Sequence, residues 1–296
     1  MKKIIKYILY IIVISLLIIN NNKIINIISD AFSSEPKVVI SKPNSYYKNA
    51  SYDFVKQSVK FSPLSQQDIK DIFFSIFDRG YDEFTFYCPK EYKECLEDVE
   101  KISNDNSLLT HINNFVSPFN DFSEINVTYT QDGEVNIKIK KLYDSTTIKE
   151  INNKLDSIIE EIITEDMKVE DKILAFHDYV INKTKYDVDK KSTKSNTAYG
   201  ALIDGYAVCG GYADAMALFL NRLNIPNYKV ASDTHVWNAL FLENAWIHLD
   251  LTWDDPVTEN GKDTLLHKFY LIDTASLEKY NITDHEFDKT IYEELS

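Results

Sequence analysis

The feature that most constrains this chain is a single change of period between residues 209 and 272. Apolar positions Cys209, Ala213, Met216, Leu220 and Leu223 recur at 4-3-4-3 spacing, which is one face of a helix, and Pro226 ends the pattern. Three β-patterned segments follow at 228–232, 236–242 and 246–251, with a fourth expected at 268–272. A helix leading into short, closely spaced strands makes an antiparallel α+β layout. A second amphipathic helix is expected just upstream, at 169–183.

The region before it reads as a separate, smaller α+β unit over residues 63–145. Helical periodicity runs from 65 to 77 behind a Ser65 cap, a β-rich stretch covers 83–87, and 91–102 is helical again. Alternating residues at 125–129 and 135–139 flank Gln131-Asp132-Gly133, the pattern of a hairpin. A helix within 146–167 links this unit to the second one, expected over 168–290. Residues 31–62 are polar with few apolar positions in phase and read as a tether.

Residues 1–30 carry an export signal. Lys2, Lys3 and Lys6 precede an unbroken apolar run over residues 7–19, the basic-then-hydrophobic order of a signal anchor or a cleaved signal peptide. Thirteen residues fall short of the roughly 20 that cross a hydrocarbon layer, although flanking isoleucines extend the stretch. The first small-residue cleavage site, residues 29–31, lies late. Either way the bulk of the chain is expected outside the membrane, where disulfides persist. An aromatic content of 13% excludes wholesale disorder, and a net charge of −14 argues against a nucleic-acid partner.

Three cysteines are too few for a disulfide-rich scaffold or a four-cysteine zinc site. Cys88 and Cys95 are seven residues apart, and pairing them would leave Cys209 as the sole free thiol. That thiol sits where a helix begins, so unpaired backbone N–H groups and the positive end of the dipole favour a thiolate. Gly210 and Gly211 follow it, although each costs about 1 kcal/mol against alanine in a helix. Removing side-chain bulk there is expected to let a substrate carbonyl reach both the sulfur and the backbone donors.

Strand parity supplies the next two groups. If 236–242 and 246–251 pair across Glu243-Asn244, partner numbers sum to 487, and Trp237 faces Asp250. His235 then lies diagonal to Asp250 at about 7 Å between Cα atoms, within reach of an imidazole–carboxylate hydrogen bond. His248 occupies the same face and competes for the role on geometry alone.

The stretch T-A-Y-G-A-L-I-D-G-Y-A-V-C-G-G-Y-A-D-A at 197–215, H-V-W-N at 235–238 and W-I-H-L-D-L-T-W-D-D-P at 246–256 together resemble the transglutaminase-like superfamily, in its exported bacterial branch. The likeness covers roughly 168–273. It implies a papain-like core in which a helix bearing the cysteine packs on an antiparallel sheet bearing histidine and aspartate. By that resemblance Cys209 is the nucleophile, His235 the base and Asp250 the group that orients it, which decides against His248. Gly210 departs from the Glu or Gln that many members carry after the nucleophile, and this leaves the substrate's fit open.

The implied chemistry is attack on an amide of a protein or peptide outside the membrane, through a thioester, ending in transamidation, deamidation or proteolysis. The alternative is a catalytically inactive binding or scaffolding module on the same fold. Tyr199 and Tyr206 are candidate second oxyanion donors, and Trp237, Asn238 and Trp253 are expected to pack around the imidazole. No cofactor and no metal is expected. C-x-x-C and H-E-x-x-H are absent, as is a twelve-residue calcium loop, although some animal relatives need calcium. Asn126-Val127-Thr128 fits a glycosylation sequon within an expected strand and is given no role.

Overall fold

A computed structural model describes residues 62–257 and 264–296, together with the backbone of two short strands at 38–41 and 54–57. The apolar run at 7–19, and with it the anchor or signal, lies outside the described residues. Among the described residues no helix is long and apolar enough to cross a membrane. The stretch read as a tether contains β1 (Val38–Ser41) and β2 (Phe54–Gln57), which pair antiparallel.

The first unit opens with α1 (Gln66–Arg79), and its sequence fixes both ends. Ser65 and Asp68 form a reciprocal capping box, and Gly80 closes the helix in the left-handed region at φ 63°. Strand β3 (Glu83–Tyr87) follows, then α2 (Cys95–Asn104) and α3 (Asn106–Asn113). The helix α3 was not legible in the sequence; it is capped by Asp105, whose carboxylate accepts from Leu108 N at 2.9 Å. The expected hairpin is β4 (Phe122–Tyr129) with β5 (Glu134–Lys141), in which Ile125 faces Ile139, Val127 faces Ile137 and Tyr129 faces Val135. The sheet order is β3-β5-β4. Cys88 and Cys95 form a disulfide that joins the end of β3 to the start of α2.

The linking helix is α4 (Ser145–Ile162), and it buries Ile151, Leu155 and Ile158 rather than standing clear of the core. It is followed by α5 (Val169–Lys183) and by the short parallel pair β6 (Lys185–Tyr186) and β7 (Tyr206–Ala207). Next come α6 (Cys209–Arg222), β8 (Asn227–Ala231), β9 (Val236–Leu242) and β10 (Ala245–Leu249). Pairs in β9–β10 run from Ala245 with Leu242 to Leu249 with Asn238, the register expected from the sequence. Glu243 and Asn244 both have positive φ, 48° and 65°, the geometry of a two-residue turn whose twist suits the strands.

The fourth expected strand is reduced to one bridge, Ile272 with His248. Leu271 at φ 48° turns the backbone out of the extended region one residue earlier, so a ladder cannot continue. Two short helices bracket it in the chain, α7 (Leu251–Asp254) before and α8 (Thr274–Glu278) behind.

The sheet β10-β9-β8 separates two apolar cores by its period of two. Tyr228, Val230, Trp237 and Ala239 join the core of the first unit together with Tyr292 and Leu295 from the C-terminus. Leu240 and Leu249 join the other core with α4, α5 and α6, where Phe176 and Phe219 stack at 4.1 Å. Helix α6 is buried from Gly210 to Leu220 because it is wedged between the sheet and α5, so its cysteine end is fixed from both sides.

Candidate functional site

Cys209 is the first residue of α6, preceded by Val208 in extended conformation. It is the one cysteine outside the disulfide and is half-buried. The first N–H groups of a helix have no intrahelical acceptor, so those of Cys209 and Gly210 are available beside the sulfur.

Packing gives Gly211 a reason besides the substrate access expected from the sequence. A Cβ on Gly210 would lie 2.1 Å from Asn196 Oδ1, and one on Gly211 would lie 2.5 Å from Ser195 O. At Gly211 the backbone of residues 195–197 leaves no room for a side chain, whereas at Gly210 the nearest atom is the end of the Asn196 side chain, which can turn aside. Val208 N donates to Ser195 O at 2.9 Å and locks that approach.

His235 stands one residue before β9. Its own N–H donates to Ser232 Oγ at 3.0 Å and its carbonyl accepts from Ser232 N at 2.9 Å, so a tight loop aims the ring. His235 Nε2 is 2.7 Å from Asp250 Oδ2, and the Cys209 thiol lies near enough to the ring to favour its charged form. With Nε2 on the carboxylate, Nδ1 is the nitrogen left for the thiol. Trp237 stacks on the imidazole at 5.7 Å.

Asp250 caps α7. Its Oδ1 accepts from the N–H groups of Thr252 at 2.9 Å and Trp253 at 3.3 Å, while its own N–H donates to Phe269 O at 3.0 Å. A further partner that no motif marks is His285, whose Nε2 lies 2.8 Å from the same Oδ2 that His235 uses. His285 comes from a turn at Thr283–His285 and is enclosed by Trp237, Trp253 and Phe269. No periodicity links it to the motifs; only the fold of the C-terminal segment brings it in.

The electrostatics follow from this enclosure. Burial by itself disfavours the His235 cation, but the Asp250 carboxylate and the neighbouring thiol reverse that and raise it to about 10. Burial likewise disfavours the Asp250 anion, and the two imidazoles overcome it, lowering Asp250 to about 2.

His248 is brought to the same layer and used differently. Trp237 Nε1 donates to His248 Nδ1 at 3.0 Å, so the ring's proton is on Nε2, 3.0 Å from Thr274 Oγ1. Burial, then the neighbouring His285, push this histidine down to about 3, and it stays neutral. Asn238 donates to Ala213 O at 2.9 Å and ties β9 to α6.

Of the two tyrosines proposed as oxyanion donors, Tyr199 lies beneath the Lys194 ammonium, and its phenol is pushed up first by Glu150 on α4. Tyr206 lies under Lys191. Tyr186, not singled out by sequence, is closer in effect: it pairs with Ala207 two residues before the cysteine. Its phenol is pushed up by burial and then by Cys209, Asp284 and Asp250.

Among the described residues two groups of side chains have metal-ligand geometry, His235 with Asp250 and His285, and His177 with Asp178 and His267. The first is the hydrogen-bonded set just described. The second lies outside it.

Residues 156–251 match the transglutaminase-like superfamily. No curated protein matches the chain. Among solved structures it is similar to a TGase at 16% identity and a TM-score of 0.34, with 44% of each chain covered. It is also similar to a proposed cysteine protease of Cytophaga hutchinsonii, at 14% identity and a TM-score of 0.29, over 48% of this chain and 65% of that one. A proposed protease of Parabacteroides distasonis shares 8% identity at a TM-score of 0.24, over 49% of this chain and 40% of that one. The chain thus spans less than two thirds of the length of each.

Proposed function

Residues 156–251 belong to the transglutaminase-like superfamily, and on that premise we propose that the protein is a thiol acyltransferase or peptidase acting on amide bonds of proteins or peptides outside the membrane. One observation carries the reading: a half-buried thiol at a helix start neighbours an imidazole whose Nε2 sits 2.7 Å from a buried carboxylate. In this reading Cys209 attacks the amide carbonyl. The imidazolium of His235 protonates the leaving amine, and Asp250 holds the ring's orientation and stabilises its charge. The backbone N–H groups at the start of α6 receive the developing oxyanion. An amine that resolves the thioester gives transamidation, and water gives deamidation or proteolysis.

Two features support an extracytoplasmic setting: the lysine-then-apolar order over residues 2–19 and the Cys88–Cys95 disulfide. The test is the rate of Cys209 alkylation by iodoacetamide between pH 4 and 9, in the parent protein, His235→Ala and His248→Ala. Fast alkylation at pH 5–6 that is lost in His235→Ala and kept in His248→Ala is expected. Slow alkylation with an ordinary thiol profile, indifferent to both histidines, overturns the reading and leaves a binding module.

A further inference from the structure

The second histidine cluster lies where α5 meets the segment after residue 264. His177 on α5 is wholly buried, and its Nε2 is 3.2 Å from Oδ2 of the equally buried Asp254. Its Nδ1 is 2.8 Å from Asp178 Oδ1. The same carboxylate oxygen lies 2.7 Å from His267 Nε2. Tyr270 packs edge-on against both rings, at 5.3 Å from His177 and 6.0 Å from His267, and fixes their planes.

We propose that His177 Nδ1, His267 Nε2 and Asp178 Oδ1 bind a divalent transition-metal ion of the zinc class, at a site separate from the thiol. Two imidazole nitrogens and one carboxylate oxygen, all within 4.8 Å of one another, make a three-ligand set that leaves a fourth tetrahedral position for water. Asp254 supplies what such a site needs behind it: a carboxylate on the far ring nitrogen holds the proton at Nε2 and keeps Nδ1 as a lone-pair donor.

The donor set also selects the ion. Calcium takes about six to eight oxygens, whereas two of the three ligands here are imidazoles, which suit zinc. Tetrahedral bonds of about 2.0 Å spread neighbouring ligand atoms to roughly 3.3 Å, so each contact to Asp178 opens by about half an ångström on binding. His267 and Asp178 can give that movement, since their side chains are 44% and 35% exposed, while His177 stays anchored by Asp254.

The ion would clamp more than its own ligands. Asp254 Oδ1 also accepts from Lys268 N at 2.8 Å and Phe269 N at 3.1 Å, and Phe269 O accepts from Asp250 N. Metal at His177 therefore braces the backbone that presents Asp250, whatever chemistry the thiol performs.

The experiment is zinc titration of the full chain carrying Cys209→Ser, which removes the free thiol as a competing ligand, with metal content and thermal midpoint as readouts. One equivalent of zinc and a rise in midpoint are expected. Binding should weaken at least tenfold in His267→Ala and in Asp178→Asn and remain unchanged in His235→Ala. Cobalt in place of zinc should give the visible absorption of a tetrahedral site, absent in His267→Ala. Because His267 and Asp178 are partly exposed, these variants keep the fold, and a midpoint measured without metal verifies it. Absence of zinc binding, or equal affinity in His267→Ala, overturns the proposal; loss of binding in His235→Ala alone would place the ion at the thiol site and overturn it too.

Discussion

Two clusters of buried charge flank the sheet β10-β9-β8, and they differ in where their bonds end. Around Lys229 on β8, the ammonium lies 2.6 Å from Asp121 and 2.8 Å from Asp214. Asn113 donates to Asp121 at 2.6 Å, and Tyr143 donates to Asp214. Every group there faces another member of the set or the surrounding core. Around Asp250, two backbone N–H groups and two imidazoles saturate the carboxylate, but the set extends through His235 to a neighbouring, half-buried sulfur. Burial and charge are common to both. What separates a structural clamp from a candidate reactive site is a nucleophilic atom that solvent can reach.

The sharpest break of that comparison is at the sulfur. Cys209→Ala is expected to lower turnover of amide or ester substrates by at least about 10⁴-fold while leaving the thermal midpoint close to the parent's. Asp250→Asn should follow with a loss of roughly 10²–10⁴-fold, because the neutral amide neither fixes the imidazole nor stabilises its charge. Steady-state kinetics on one substrate, paired with thermal unfolding, separates the two effects. A Cys209→Ala protein that keeps its turnover would reduce the Asp250 cluster to another clamp.

Lys229→Met should do the converse. It leaves two buried carboxylates without their cation and is expected to cost about 3–5 kcal/mol of stability, with the alkylation rate of Cys209 in the folded fraction unchanged. Urea unfolding measures the first and a pulse of iodoacetamide the second. A slower alkylation rate would mean the two clusters are coupled across α6, since Asp214 and Cys209 share that helix.

Smaller still is the disulfide. Closing eight residues between Cys88 and Cys95 contributes about 2.5 kcal/mol by loop-closure entropy. The pair Cys88→Ser with Cys95→Ser should lower the urea midpoint accordingly and leave thiol reactivity intact, because the bond lies in the first unit.

These contrasts also show which parts were legible in sequence. The β9–β10 register followed from counting, because two turn residues between alternating strands fix every pair, and α1 followed from its cap. The close approach of His235 to Asp250 came with the register. By contrast, His285, His267 and the Lys229 partners Asp121 and Asp214 are joined only by tertiary packing across 15 to 108 residues, and no local period encodes such pairs. The packing reason for Gly211 is the backbone of 195–197, which no pattern around 209 reveals. The fourth strand failed for a local reason, one left-handed residue at Leu271 that a β-rich composition does not disclose.

The finest distinction between the clusters is their response to pH. His235 is raised from about 6.5 to about 10, so the stability it contributes is complete below pH 6.5 and lost as pH climbs through 10. Asp250, lowered from 3.8 to about 2, contributes above pH 3.8 and loses that contribution as pH falls through 2. Asp121 has the opposite sign for a carboxylate. Burial, with Asp214 nearby, raises it to about 7 despite Lys229, so the folded state favours its protonated form and loses stability between pH 4 and 7. The thermal midpoint of the parent should therefore fall in two stages above pH 4. Asp121→Asn should remove the stage below pH 7 and keep the one above it, whereas His235→Ala should do the reverse. Midpoints recorded at unit steps from pH 3 to 10 test this, and a single variant that flattens both stages would show that the two clusters titrate as one.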